Sequence, residues 1–312
     1  MTGLSLKQKQ QYDEKGYLLL KNIFTDDEIS PLVEEIEQSI DEIAISYIEQ
    51  DKIHSLYEND GFGTRFNRIV NDSEDAYDEL VGSVHLGPAL FDLLSNHKVL
   101  DIVESILGPE IRCEGRHRIR PKLPNYDVAD FRWHEDTAYS AKRITYTRQH
   151  YGLSADHKEH SGSFLSKIVA APQMPEPNFW IPLVSVNEKN GCLHVLPGGH
   201  KHTPPYENQW TPESFIPELT GLKPLIIPME VGDALLMHQH LPHVSPGNKS
   251  DTIRWSVDIR YQDAMKPIKS LKEPGFIARS SKNTNKVIAN YQDYENIRRA
   301  VKEFAAKIGL PL

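Results

Sequence analysis

The sequence predicts a mainly β domain, a sandwich or barrel, with flanking helices packed on one face. Three observations carry that expectation. From about residue 111 to 261 short apolar runs alternate with turn signals. Before residue 111 the apolar residues recur instead at helical spacing. No Gly/Ser-rich or polar linker separates the two halves, so the 312 residues read as one domain rather than two.

Ser5 is placed to cap a helix running through Glu14, and Gly16 stops it. Tyr17-Leu18-Leu19-Leu20 follows as a short strand. Thr25 and Glu28 stand at capping-box spacing. Behind them Ile29, Leu32, Val33, Ile36, Ile40 and Ile43 predict one long amphipathic helix to about Ile48. Residues 57–71 read as irregular. Gly87-Pro88 opens a further helical stretch and Gly108-Pro109 closes it. Strands are expected over 179–186, 192–196, 225–230, 234–237 and 253–261. Asn190-Gly191 should join the first two as a hairpin. After Pro274-Gly275 the chain reads as loop and then helix.

Apolar residues make up 39% and charged residues 25%, enough for a globular core. Lys and Arg total 35 against 44 acidic residues, a net charge of −9. That balance excludes the basic footprint of a nucleic-acid partner. It also weighs against a membrane surface and against a strongly anionic substrate drawn in by the whole-molecule field. Two cysteines, Cys113 and Cys192, build no disulfide framework, so a reducing, cytoplasmic setting is expected. No run is apolar enough to cross a bilayer, and the first residues lack a signal-peptide core. Fourteen histidines direct attention to metal binding.

Trp133-His134-Glu135-Asp136 is the first candidate, because residues two apart on a strand share a face. His134 and Asp136 would present one imidazole and one carboxylate together. Roughly a hundred residues later His238, His240 and His243 offer a second nitrogen. Two nitrogens and one carboxylate on one face of a metal leave the other face open, as in non-haem Fe(II) oxygenases. A structural zinc site would want four closed ligands, commonly thiolates. Arg254 lies eleven residues after His243 on the apolar run Ile253-Arg254-Trp255-Ser256-Val257. A core-facing arginine needs a carboxylate, supplied by a structural ion pair or by an anionic ligand.

Four segments together resemble the phytanoyl-CoA dioxygenase family of Fe(II)- and 2-oxoglutarate-dependent oxygenases. They are YDEKGYLLLKNIFTDDEISPLVEEI, FRWHEDTAYS, FWIPLVSVNEKNGCLHVLPGGHKHTP and GDALLMHQHLPHVSPGNKSDTIRWSVDIRYQ, in that order along most of the chain. The resemblance implies a double-stranded β-helix core (a jelly roll, cupin-like). That core would span 111–262, after a helical flank at 1–110 and before a C-terminal loop and helix at 263–312. It implies His134, Asp136 and His243 as iron ligands. It also implies Arg254 and Ser245 as partners of the 2-oxoglutarate distal carboxylate, with Trp180 beside the co-substrate or simply packed in the core. His238 and His240 match no ligand of the family, and Gly198-Gly199-His200 stands as a structural turn.

The implied reaction consumes O2 and 2-oxoglutarate, releases succinate and CO2, and hydroxylates an unactivated C–H bond of a small molecule. Desaturation, epimerisation or cyclisation with the same cofactors are alternatives. So are a 2-oxoglutarate-independent cupin-type metal enzyme and a non-catalytic jelly-roll binding protein. Because Asp136 is present, a halogenase, which replaces that carboxylate by a small residue, is not expected. An insert at about 138–178, with Tyr139, Tyr146 and Tyr151, is expected to form a lid over the substrate or a dimer contact. Arg116, Arg118 and Arg120 alternate toward one sheet face. Two are expected to pair with surface acids, leaving Arg118 to reach the pocket. A monomer or homodimer is expected.

Overall fold

The computed structural model describes residues 3–82, 87–126, 131–136, 175–201, 221–266 and 274–307. Its helical flank begins with α1 (Leu6–Lys15), where Ser5 and Gln8 cap each other's backbone and Gly16 ends the helix at φ +78°. Strand β1 (Tyr17–Leu20) follows, then the long helix α2 (Asp26–Glu49). The Glu28 carboxylate accepts the Thr25 N–H at 2.8 Å, holding the first turn of α2. Ile29, Leu32, Ile36, Ile40, Ile43 and Tyr47 form its buried stripe.

The expected irregular stretch at 57–71 is a correction: α3 (Arg65–Asp72) forms there, because Phe66, Ile69 and Val70 make a one-sided buried face. A short α4 (Asp75–Gly82) follows. The single helical stretch after Gly87 is two helices, α5 (Pro88–Leu94) and α6 (His97–Leu107). The Asn96 side chain accepts the Lys98 N–H at 2.9 Å and so restarts the helix at α6.

The strands are β2 (Ile111–Cys113), β3 (Arg118–Lys122), β4 (Phe131–His134), β5 (Asn178–Pro182), β6 (His194–Val195), β7 (Leu225–Ile226), β8 (Ala234–Met237), β9 (His243–Ser245), β10 (Arg254–Asp263) and β11 (Phe276–Arg279). They form two antiparallel sheets. The larger runs β1-β8-β5-β10-β2-β11, with β3 also on β10; the smaller runs β4-β9-β6-β7. A last helix, α7 (Tyr291–Lys307), follows. The described strands do not close into a barrel, so the architecture is a β-sheet core flanked by helices.

Two expectations fail here for identifiable reasons. Asn190-Gly191 turns the chain, but β5 and β6 belong to different sheets, so they make no hairpin. Gly191 sits at φ +77°, and a Cβ on it would lie 2.4 Å from the Pro246 carbonyl oxygen. The turn is therefore shaped by packing against the loop after β9 rather than by pairing of its own arms. Strand β11 arises in a stretch read as loop, because its Phe276 and Ala278 bury against the helical core.

Alternation along β10 links core to site. Trp255, Val257, Ile259 and Tyr261 join the cluster built with α2 to α6. Arg254, Asp258 and Arg260 point the other way, into a cavity that residues of the smaller sheet also line. Trp255 is fully buried, stacks on Phe62 at 4.7 Å, and donates its indole N–H to the Phe62 carbonyl at 2.8 Å. Trp255→Ala is expected to cost about 3–5 kcal/mol, read as a lowered urea midpoint.

Candidate active site

Strands β4 and β9 pair so that His134 and His243 are direct cross-strand neighbours, with ring centroids 4.3 Å apart. Asp136 lies two residues on, just past the end of β4. One donor atom from each of the three lies within 4.8 Å of the others. Both histidines are buried. His243 Nδ1 is 2.9 Å from the Leu241 carbonyl, a contact in which the ring donates Nδ1–H and keeps Nε2 for a ligand role.

The Asp136 carboxylate accepts from Arg260 Nη2 at 3.2 Å and from Asn178 Nδ2 at 2.6 Å. Burial alone would raise its pKa. Arg260, His243 and His134 outweigh that, with Asn178, and hold the carboxyl well below its ordinary range. The site therefore keeps an ionised carboxylate and two imidazoles together. That donor set fits Fe(II) with an open face, and the absence of thiolate argues against structural zinc.

Beside the triad, Arg254 is almost wholly buried on β10. Its Nη1 makes only long contacts, 3.4 Å to the Gly191 carbonyl and 3.4 Å to Ser245 Oγ. The guanidinium lies 5.1 Å from the Trp180 ring centroid. Among the described residues its Nε has no hydrogen-bond partner, and no carboxylate makes an ion pair with it. Burial pushes the guanidinium down to about 10. A buried guanidinium that forms no ion pair among the described residues, with Asp258 acting on it only at a distance, fits an anionic ligand.

The chain matches the phytanoyl-CoA dioxygenase (PhyH) family over residues 12–256. It belongs to that family. Relatives include a probable alpha-ketoglutarate-dependent hypophosphite dioxygenase of Stutzerimonas stutzeri, 24% identical over 62% of this chain and 53% of that protein. An ectoine dioxygenase of Bordetella parapertussis is 25% identical over 64% of this chain and 50% of its own length. The peroxisomal phytanoyl-CoA dioxygenase of Bos taurus is 24% identical over 84% of this chain and 69% of its own. The chain thus spans about half the length of the first two. Among solved structures, the non-heme monooxygenase ThoJ in its nickel complex superposes with a TM-score of 0.55 at 15% identity, covering 96% of each chain. EctD from S. alaskensis with 2-oxoglutarate and 5-hydroxyectoine gives 0.52 at 17% identity, covering 93% of this chain and 86% of that one. These likenesses concern the fold.

Of the site residues expected from sequence, the structure brings together His134, Asp136, His243, Ser245, Trp180, Arg254 and Arg118 around one cavity of about 380 Å³. Tyr139, Tyr146 and Tyr151, and nearly all of the 138–178 insert, lie outside the described residues. Arg116 and Arg120 are ion-paired as expected, but with buried rather than surface acids. Arg116 meets Glu114 and Glu176 at 2.5 and 2.9 Å, and Arg120 meets Asp258 at 2.8 Å. Asp258 is reached by alternation along β10, whereas Glu114 and Glu176 stand just outside β2 and β5.

Asn178 lies just before a quoted segment and Arg260 within another, but neither was singled out as a site residue from the sequence, though both hold Asp136. The signal was nonetheless present: Arg260 is six residues beyond Arg254 and Asn178 two before Trp180, each on the same strand face as its neighbour. Arg260→Met should weaken Fe(II) binding about 10–100-fold, measured as the midpoint of an anaerobic Fe(II) titration.

His238 and His240 stand outside the triad. His238 packs against His200 and Tyr12, with centroids at 4.9 and 6.1 Å, and its Nδ1 accepts the His240 N–H at 3.1 Å. His240 Nδ1 stands 3.6 Å from the buried Glu135 carboxylate. Gly199–Lys201 forms a 3-10 turn, and a Cβ on Gly199 would strike Pro242 at 2.8 Å.

Burial, then His200 and His240, push the His238 imidazole from 6.5 down to about 3. The unfolded chain therefore takes up this proton first as pH falls. Stability present above about pH 6.5 should be lost progressively toward pH 3. The fall in Tm between pH 7 and 4.5 is expected to be smaller in His238→Gln, read by thermal denaturation at each pH.

Proposed function

We propose that the protein is an Fe(II)- and 2-oxoglutarate-dependent dioxygenase that hydroxylates an unactivated C–H bond of a small molecule, releasing succinate and CO2. One observation carries this reading: three metal-donor side chains within 4.8 Å stand in one cavity with a buried arginine that makes no ion pair among the described residues. Membership in the phytanoyl-CoA dioxygenase family supports it.

When bound, Fe(II) and 2-oxoglutarate supply the activation of O2; the chain's own residues bind and orient. His134, Asp136 and His243 would hold the ion and leave part of its coordination open. Arg254, with Ser245 Oγ at 3.4 Å, would take the distal carboxylate of 2-oxoglutarate through a charge-assisted contact. Trp180 walls the guanidinium and excludes water from it. Lys122 Nζ donates to the Ser245 and Pro246 carbonyls at 2.8 and 2.7 Å, which fixes β9 and so both Ser245 and His243. Asn178 and Arg260 keep the Asp136 carboxylate ionised and aimed.

The finer fold reading is a single domain over 1–312 with a double-stranded β-helix core, supported by one contiguous cluster that joins helices and sheet. A cytoplasmic protein, monomeric or homodimeric and without a nucleic-acid partner, accords with the acidic balance and the two buried free cysteines. Among the described residues no helix is long and apolar enough to cross a membrane.

The test is anaerobic titration with Fe(II) and 2-oxoglutarate. A weak visible charge-transfer band is expected, absent in His134→Ala, followed on admitting O2 by succinate release with a metabolite library. No band and no 2-oxoglutarate binding would overturn the assignment.

A further inference from the structure

We propose that the primary substrate presents two neighbouring hydroxyl groups to a pair of acceptors in the cavity wall, Asn178 Oδ1 and Asp258 Oδ1. This rests on the site being an Fe(II)/2-oxoglutarate centre and adds the recognition chemistry of the molecule that is oxidised.

Asn178 is buried on β5 and lines the cavity that holds the triad. Its Nδ2 donates to Asp136 Oδ2 at 2.6 Å. A carboxylate that binds a metal can only accept, so the amide cannot be turned round and Oδ1 is the atom left over. Among the described residues that oxygen accepts no hydrogen bond. A buried acceptor without a donor is costly, and in the wall of a cavity it fits a donor that arrives with the ligand.

Asp258 offers the second acceptor. It is buried on β10 and lines the same cavity. Arg120 donates to its Oδ2 from Nε at 2.8 Å and places Nη2 at 2.8 Å from the same oxygen. Arg260 Nη2 reaches that oxygen too, at 3.4 Å. All three contacts fall on Oδ2, so the two guanidiniums fix the carboxylate and leave Oδ1 for a ligand.

Strand register brings the acceptors together. Asn178 stands opposite Arg260, and Trp180 opposite Asp258. Asn178 and Asp258 are therefore diagonal neighbours on one sheet face, roughly 7–8 Å apart. Hydroxyls on adjacent carbons of one small molecule can bridge oxygens carried by side chains so placed.

The co-substrate cannot fill this role, because dianionic 2-oxoglutarate brings acceptors and no donor. An ammonium is disfavoured as well, since it would enter beside the two guanidiniums that grip Asp258. A neutral hydroxyl meets no such repulsion. Leu193, Met237 and Trp180 line the same cavity and supply apolar surface for the carbon skeleton.

The experiment is anaerobic isothermal calorimetry on the protein saturated with Fe(II) and 2-oxoglutarate, using three probes of one skeleton. They are cyclohexane-1,2-diol, its dimethyl ether, which cannot donate, and cyclohexane-1,2-diamine as the cationic counterpart. The diol should bind saturably, at least about tenfold more tightly than the diether, and more tightly than the diamine. In Asp258→Asn the arginines still require an oxygen, so the amide nitrogen takes the open position and donates. Diol and diether should then bind within about twofold of each other. Asn178→Leu, kept saturated with Fe(II), should lower the diol preference at least about threefold. The wild-type comparison needs no variant and decides the matter if either substitution fails to fold. Equal binding of diol and diether by the wild type, no binding of either, or tighter binding of the diamine overturns the proposal. So does a diol preference that survives Asp258→Asn. If 2-oxoglutarate itself fails to bind the wild-type protein, the functional reading falls and this one with it. If 2-oxoglutarate binds normally and the diol preference is missing, this proposal alone falls.

Discussion

Arg254→Met should weaken 2-oxoglutarate binding by about 3 kcal/mol, roughly a hundredfold in Kd, without destabilising the ligand-free protein. The second half of that expectation is what separates a ligand anchor from a structural residue. An arginine in a buried ion pair leaves its acid stranded when removed, and such losses cost about 3–5 kcal/mol. Here the described residues supply no such acid: Arg254 Nη1 reaches only Gly191 O and Ser245 Oγ, both at 3.4 Å. The methionine stem fills similar volume beside Trp180, so the urea midpoint of the apo variant should match or exceed wild type. Calorimetry with 2-oxoglutarate and denaturation without it check both halves. A marked loss of apo stability would mean that Arg254 serves the fold.

Asp136→Ala is expected to reduce Fe(II)-dependent 2-oxoglutarate turnover to background. The carboxylate supplies the one anionic donor among the three ligands, and the two imidazoles alone offset none of the ion's charge. Fe(II) titration should show the loss directly. The circular dichroism spectrum should hardly change, because Arg260 keeps Asp258 at 3.4 Å and Glu176 at 3.8 Å as partners. Retained Fe(II) affinity in this variant would move the metal centre elsewhere.

Much of this site was legible in the sequence because its chemistry sits on short, regular spacings. His134 and Asp136 are two residues apart, and Arg254 follows His243 on an apolar run that alternation places at a sheet face. The choice of His243 over His238 and His240 rests in the sequence on the offset to Arg254 and the family resemblance, and in the fold His243 is the one that stands in cross-strand register with His134. The pairing of β6 was misread for the same reason. A turn signal such as Asn190-Gly191 reports local backbone geometry and says nothing about which sheet receives the returning strand. Helix α3 was missed because a run of eight residues gives periodicity little to work with. The ion-paired arginines were placed correctly, but the depth of their partners depends on how the chain closes over Glu114 and Glu176.

The register that opposes His134 and His243 has a consequence for the mechanics of the chain. A metal ion held by both would tie together two points more than a hundred residues apart in sequence, one at the end of β4 and the other at the start of β9. Such a tie acts like a removable cross-link. While it holds, β4 and β9 cannot separate, and the long connection between them is fastened at both ends. When a chelator removes the ion, β4 keeps only its pairing with β9 among the described strands, and a protease should cut near β4 sooner.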